Sequence, residues 1–194
     1  MCDETIVQLP RPRRPETGLM AWQATIGYMS AYYSLDALLT MQAYPLGAGV
    51  GWVAAASWGS NREQVQDCAS LPEALRTLWQ EVNRNHLIFD SREAIAKRPA
   101  NYADHEWLDS QSAHVLDRVL RVTRTVYDMD WRLVLVYRPV EEPDFRFQAR
   151  LLAMDDTVQV GGRGASLRDA CRDVYRHAAP YYLARSGHSP DELD

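Results

Sequence analysis

Apolar positions change their period several times along this chain, and each change marks an element. Trp22, Ala24, Ile26 and Tyr28 alternate with Gln23, Thr25 and Gly27, a period-two pattern that predicts a strand. Ser34 to Tyr44 fits a short helix, stopped by Pro45 and the glycines at 47, 49 and 51. Trp52 to Trp58 is an apolar run suited to the inside of a sheet, and a helix is expected from about Ser70 to Asn83. His86 to Phe89 reads as a short strand or connector, and Ser91 to Arg98 as a turn or two of helix broken by Pro99. A loop around Asn101–Asp104 leads into a long helix ending near Tyr127, with Val115, Leu116, Val119, Leu120, Val122, Val126 and Tyr127 on one face. Trp131–Tyr137 and Phe145–Met154 flank the turn Pro139–Asp144 as a hairpin, and Thr157–Val160 is a third strand. Gly161, Gly162 and Gly164 then read as a tight turn into a last helix from Ser166, interrupted at Pro180.

These elements predict an α+β fold: an antiparallel sheet with helices packed on one side, built either as a single unit or from two related strand-then-helix halves. Residues 1–18 are an extended arm, 19–185 one compact domain and 186–194 a polar tail. Ala69-Ser70-Leu71-Pro72-Glu73-Ala74-Leu75 and Ala165-Ser166-Leu167-Arg168-Asp169-Ala170-Cys171 share one plan, echoed by Ser34-Leu35-Asp36-Ala37-Leu38. In each a Ser caps orphan amides, a Leu packs back and an acid opposes the positive end of the helix. Either a duplicated unit, with halves 19–98 and 104–185, or convergence on good helix-start chemistry accounts for this.

Phe145 to Val160 with the following Ser-Leu-Arg-Asp-Ala helix resembles the strand–strand–helix half of HicB-like antitoxin modules. With the preceding helix over 111–127 the order becomes α-β-β-β-α, similar to double-stranded-RNA-binding domains. In that family the helix after the third strand opens with lysines that grip phosphate. Here Ala165, Ser166, Leu167, Arg168 and Asp169 stand in that place, so the phosphate clamp is absent. The resemblance covers under half the chain and implies topology, not activity.

Composition narrows the field. The 194 residues are 46% hydrophobic and 24% charged, which is ordinary globular usage and leaves out fibrous and largely disordered classes. Cys2, Cys68 and Cys171 are widely spaced and make neither a disulfide framework nor a zinc knuckle. With no long apolar run and an acidic, then proline-rich start, no membrane span or secretory signal is expected, and a cytoplasmic location is the default. A net charge of −5 argues against a dedicated duplex binder. Lys97 is the single lysine among 21 basic residues, a bias that suits bidentate contacts or reflects coding composition.

Candidate chemistry is sparse. His86, His105 and His114 lack metal-ligand spacing, and neighbours Asp104, His105 and Glu106 would point apart on a helix, so no metal or other cofactor is expected. Cys68 lies two residues before a helix N-cap, where thiols ionise more readily, but no base is paired with it, so a structural role is expected; Cys171 belongs to a core face. The glycines before Ser166 lack a Walker or dinucleotide frame. Glu141–Glu142 and Asp155–Asp156 fit turns better than an acid–base pair.

What remains points to binding. Six Trp and ten Tyr against three Phe favour wet interfaces, with Tyr32, Tyr33, Trp107, Tyr181 and Tyr182 as partner-binding candidates. Arg11, Arg13 and Arg14, interleaved with prolines, form an arm that could dock on an acidic or aromatic groove. The expected function is therefore a non-enzymatic binding or assembly protein that engages a protein partner or itself. The alternative is nucleic-acid binding through Arg118, Arg121, Arg124 and Arg163, with a small-molecule enzyme as the third class.

Overall fold

The computed structural model describes residues 18, 19, 22, 23, 26, 27, 30, 36–86, 108–127, 130–139, 141–153 and 158–188. Six strands form one open sheet: β1 (Leu38–Leu46), β2 (Gly49–Trp58), β3 (Asn61–Cys68), β4 (Trp131–Tyr137), β5 (Phe147–Ala153) and β6 (Val158–Gly164). Their order is β3-β2-β1-β4-β5-β6, and every neighbouring pair is antiparallel. Among the described residues three continuous helices accompany it, α1 (Leu71–His86), α2 (Ser110–Tyr127) and α3 (Leu167–Ser186). The expected α+β class and antiparallel sheet are found.

Alternation decides which face of the sheet is covered. Leu39, Met41 and Ala43 of β1 and Trp131, Leu133, Leu135 and Tyr137 of β4 are buried, while the residues between them are half-buried. These side chains join Leu71, Leu75 and Leu78 of α1, Leu116 and Val119 of α2, and Leu167 and Val174 of α3 in one core. Gly47 and Gly59, both at φ +57°, open the two-residue turns of the first meander, where a positive φ matches the strand twist.

Several expectations are corrected. Trp22, Gln23, Ile26 and Gly27 are helical, not strand: Leu19, Trp22 and Ile26 recur at helical spacing and are buried. Trp22 donates its indole N–H to Leu75 O at 3.1 Å and meets Trp79 edge-on at 5.1 Å, which ties this segment to α1. The region expected as a helix from Ser34 is instead β1 from Leu38, so Asp36 and Ala37 do not open a helix. Strand β3 was not anticipated; its sequence holds Val65 as its one aliphatic residue because it lies at the sheet edge. His86 ends α1 rather than starting a strand.

Gly161, Gly162 and Gly164 belong to β6, not to a turn. A Cβ on Gly162 would lie 2.3 Å from Ala170 O, and one on Gly164 would lie 2.5 Å from Asp169 Cβ, so these glycines let α3 press directly on the strand. Helix α3 also continues through Pro180 to a left-handed cap at Gly187. Pro180 is exposed, so the carbonyl it leaves unpaired can turn to water.

Register reveals an order within the sheet. Met41 faces Leu135 at the middle of the β1–β4 ladder. Outward from there, Ala43–Trp52–Cys68 on one side matches Tyr137–Phe147–Gly164 on the other. Each third strand then leads into a capped helix. Ser70 Oγ accepts from Glu73 N at 3.3 Å, and Glu73 returns the contact by accepting from Ala69 N at 2.8 Å. Ser166 Oγ accepts from Asp169 N at 3.1 Å. Leu71, Ala74, Leu75, Leu78 and Val82 are buried on α1, and Leu167, Ala170, Cys171, Val174 and Ala178 at the matching places on α3.

Candidate binding face

The sheet face opposite the core carries Leu38, Thr40, Gln42 and Tyr44 from β1, Val53, Ala55 and Ser57 from β2, and Arg62 and Gln64 from β3. It continues with Arg132, Val134 and Val136 from β4, Gln148, Arg150 and Leu152 from β5, and Gly161 and Arg163 from β6. At these ladder positions there is no aspartate or glutamate, although the whole chain is acidic. The carboxylate of Asp67, at the β2–β3 bulge with φ +59°, accepts from the Tyr44 hydroxyl at 2.6 Å. That bond, with burial behind it, pushes the Tyr44 phenol above its ordinary range. The Tyr44 ring lies where a Cβ on Gly51 would be, so Gly51 is the residue that admits it.

The face is uneven between its two halves. In register, Arg132 of β4 and Arg150 of β5 stand where Leu38 and Ala55 stand in β1 and β2. Arg163, three residues before its helix cap, stands where Asp67 precedes Ser70. Matching core positions stay alike over the same strands, with Leu39 against Leu133, Met41 against Leu135 and Ala54 against Ala149. Arg150 Nη2 donates to Gln148 Oε1 at 3.1 Å, and the Arg163 guanidinium lies 5.7 Å from the centre of the Phe145 ring. Phe145 belongs to a short 3-10 turn, Pro143–Phe145, and is partly exposed. Together these groups edge a depression of about 610 Å³ over β5 and β6.

The arginine row of α2 is engaged within the molecule. Arg118 Nη2 donates to the Tyr175 hydroxyl at 2.8 Å, Arg121 pairs with Asp117 at 2.7 Å, and Arg124 Nη2 donates to Ala48 O in the β1–β2 turn at 3.0 Å. Arg163 lies on β6, apart from that row. Tyr181 and Tyr182 point apart: Tyr181 is 57% exposed, whereas Tyr182 packs with Val122 and Ala178. Arg11, Arg13, Arg14, Tyr32, Tyr33, Trp107, His105, Asp155 and Asp156 lie outside the described residues.

Neither described thiol is activated. Burial, then the carboxylates of Glu73 and Asp67, push the Cys68 thiol up. Burial alone pushes Cys171 up to about 12. Glu141 sits 3.8 Å from Arg138 across the β4–β5 connection. Among the described residues no group of three His, Cys, Asp or Glu side chains is placed to hold a metal ion, and no helix is long and apolar enough to cross a membrane.

Sequence reasoning passed over Arg132, Arg150 and Gln148 because each sits singly in an alternating strand. Their common face is visible only once register sets the strands side by side. No family model matches this chain, and no curated protein matches it in sequence.

Proposed function

We propose that this chain is a non-enzymatic binding protein that engages an acidic protein partner across the open face of its sheet. The observation that carries the reading is the replacement of Leu38, Ala55 and Asp67 by Arg132, Arg150 and Arg163 in the second meander, while the core positions stay alike. A core does not require arginine on the far face; a negatively charged partner would use it. Half-buried Val53, Val134 and Val136 on the inner strands, with Arg62 exposed on β3 and Arg150 and Arg163 exposed on β5 and β6, match the apolar centre and polar rim of protein interfaces.

The matching registers and helix caps also support descent of the two halves, 19–98 and 104–185, from one duplicated unit that later diverged on its open face. The Arg/Pro arm at residues 1–18 is proposed as a second contact to the same partner, and self-association as the simplest alternative assembly. Binding of nucleic acid is less favoured, because the α2 arginines are already paired within the chain and the net charge is −5.

A native pull-down at moderate salt, scoring both protein and nucleic acid retained, tests the reading. The wild-type chain should hold a stoichiometric acidic protein, and Val134→Glu, which puts an acid on the face directly opposite Arg150, should release it while the chain stays folded by circular dichroism. Retention of nucleic acid alone, or of the same protein by Val134→Glu, overturns it.

A further inference from the structure

The depression over β5 and β6 brings together two arginines, the Phe145 ring and an open floor at Gly161. Gln148 faces Arg163 and Arg150 faces Gly161 across the β5–β6 ladder, so the two arginines are diagonal neighbours on one surface. We propose that this depression is a carboxylate-binding subsite, with Arg150 and Arg163 as its ligand-contacting residues and a Glu or Asp side chain of the partner as its occupant. The inference rests on the functional reading above and narrows it to one anchoring point.

Three features argue for a single carboxylate. First, Arg150 is held by Gln148 Oε1 through one Nη, leaving the other edge of its planar fork to meet an acid in bidentate fashion. Second, Gly161 has nothing within 4 Å of where its Cβ would be, so the floor opposite Arg150 is open to a ligand. Third, the rim carries its own carboxylates. Asp173 accepts from Arg163 N at 3.3 Å along the outer edge of β6, and Asp144 stands in the 3-10 turn beside Phe145. Those two acids repel a continuous chain of phosphates crossing the rim, while a lone carboxylate between the arginines is drawn in. The exposed Phe145 ring offers an apolar surface to whatever flanks that acid.

The test measures fluorescence anisotropy of a tetramethylrhodamine-labelled, amidated Gly/Ser decapeptide carrying one glutamate, titrated with the full chain. Arg150→Gln with Arg163→Gln should weaken binding about tenfold or more, the loss expected for a charge-assisted pair. Gly161→Val adds bulk at an open, exposed strand position, so Tm should hold while binding falls similarly. Arg84→Gln, on α1 and outside the open face, should change binding by less than about twofold. An equal loss with Arg84→Gln overturns the subsite in favour of diffuse charge. Binding of a ten-nucleotide oligothymidine that is tighter than that of the single-glutamate peptide and is lost in the Arg150/Arg163 double variant overturns the occupant. If the Arg150/Arg163 double variant still holds the pulled-down partner that Val134→Glu releases, the subsite is wrong and the open-face reading stands.

Discussion

Arg118 of α2 reaches Tyr175 of α3, donating to its hydroxyl at 2.8 Å while the guanidinium carbon lies 4.7 Å from the ring centre. The contact joins the two helices of the second half on their outer side, and Arg185 adds to it by donating to Val126 O near the end of α2 at 2.8 Å. A double-mutant cycle with Arg118→Met and Tyr175→Phe, read by urea unfolding, should give a coupling of about 0.5–1.5 kcal/mol. A coupling near zero would mean the pair is incidental to helix packing.

Two glycines one residue apart should respond oppositely. Gly162→Ala forces its methyl group into the α3 backbone at Ala170 and should cost about 3 kcal/mol or more. Gly161→Ala meets open space and should be neutral or slightly stabilising. Thermal melts of the two variants check this directly.

Thr123 is fully buried on α2, and its hydroxyl has no hydrogen-bond partner among the described residues. Thr123→Val removes that uncompensated polar group at nearly constant shape. The chain should gain about 1 kcal/mol in chemical denaturation, and a loss of stability would point to a water bound at the hydroxyl.

Asp109 starts α2 by accepting from Ser112 N at 2.9 Å. Burial opposes its charge, but the Ser112 hydroxyl and the helix-start amides outweigh burial and hold the carboxyl below its ordinary range. A depressed folded-state pKa stabilises the fold above the unfolded value, and that contribution disappears as pH falls through the folded one. Asp109→Ala should therefore lower stability by about 1 kcal/mol at neutral pH. Tm measured from pH 7 down to below about 3 should find the two proteins converging.

Legibility in the sequence followed how local each signal was. The capping serines at 70 and 166, the amphipathic face of α2 and the β4–β5 hairpin depend on neighbours within a few residues, and all were readable. Strand β1 was not. Leu38, Leu39, Met41 and Ala43 are good helix formers, and only ladders with β2 on one side and distant β4 on the other draw them into a sheet. Trp22 and Ile26 satisfy both a strand and a helix period, and their packing against Leu75 and Trp79 decides between them. The open face of the sheet was the least legible part, because it gathers single residues from six strands and depends on every register at once.

The position of β1 bears on how the chain is made. Once residues up to about 85 have left the ribosome, β1, β2, β3 and α1 can associate through short hairpins, yet Leu38–Leu46 is then a bare outer strand. Its true neighbour, β4, is synthesised only after α2, so during that interval the edge can pair with the same strand of another nascent chain. Polysomes, which crowd identical chains together, should therefore favour exchanged dimers. Supplying residues 104–194 as a separate polypeptide during refolding of residues 1–100 should suppress aggregation by covering that edge, and an absence of rescue would place the hazard elsewhere.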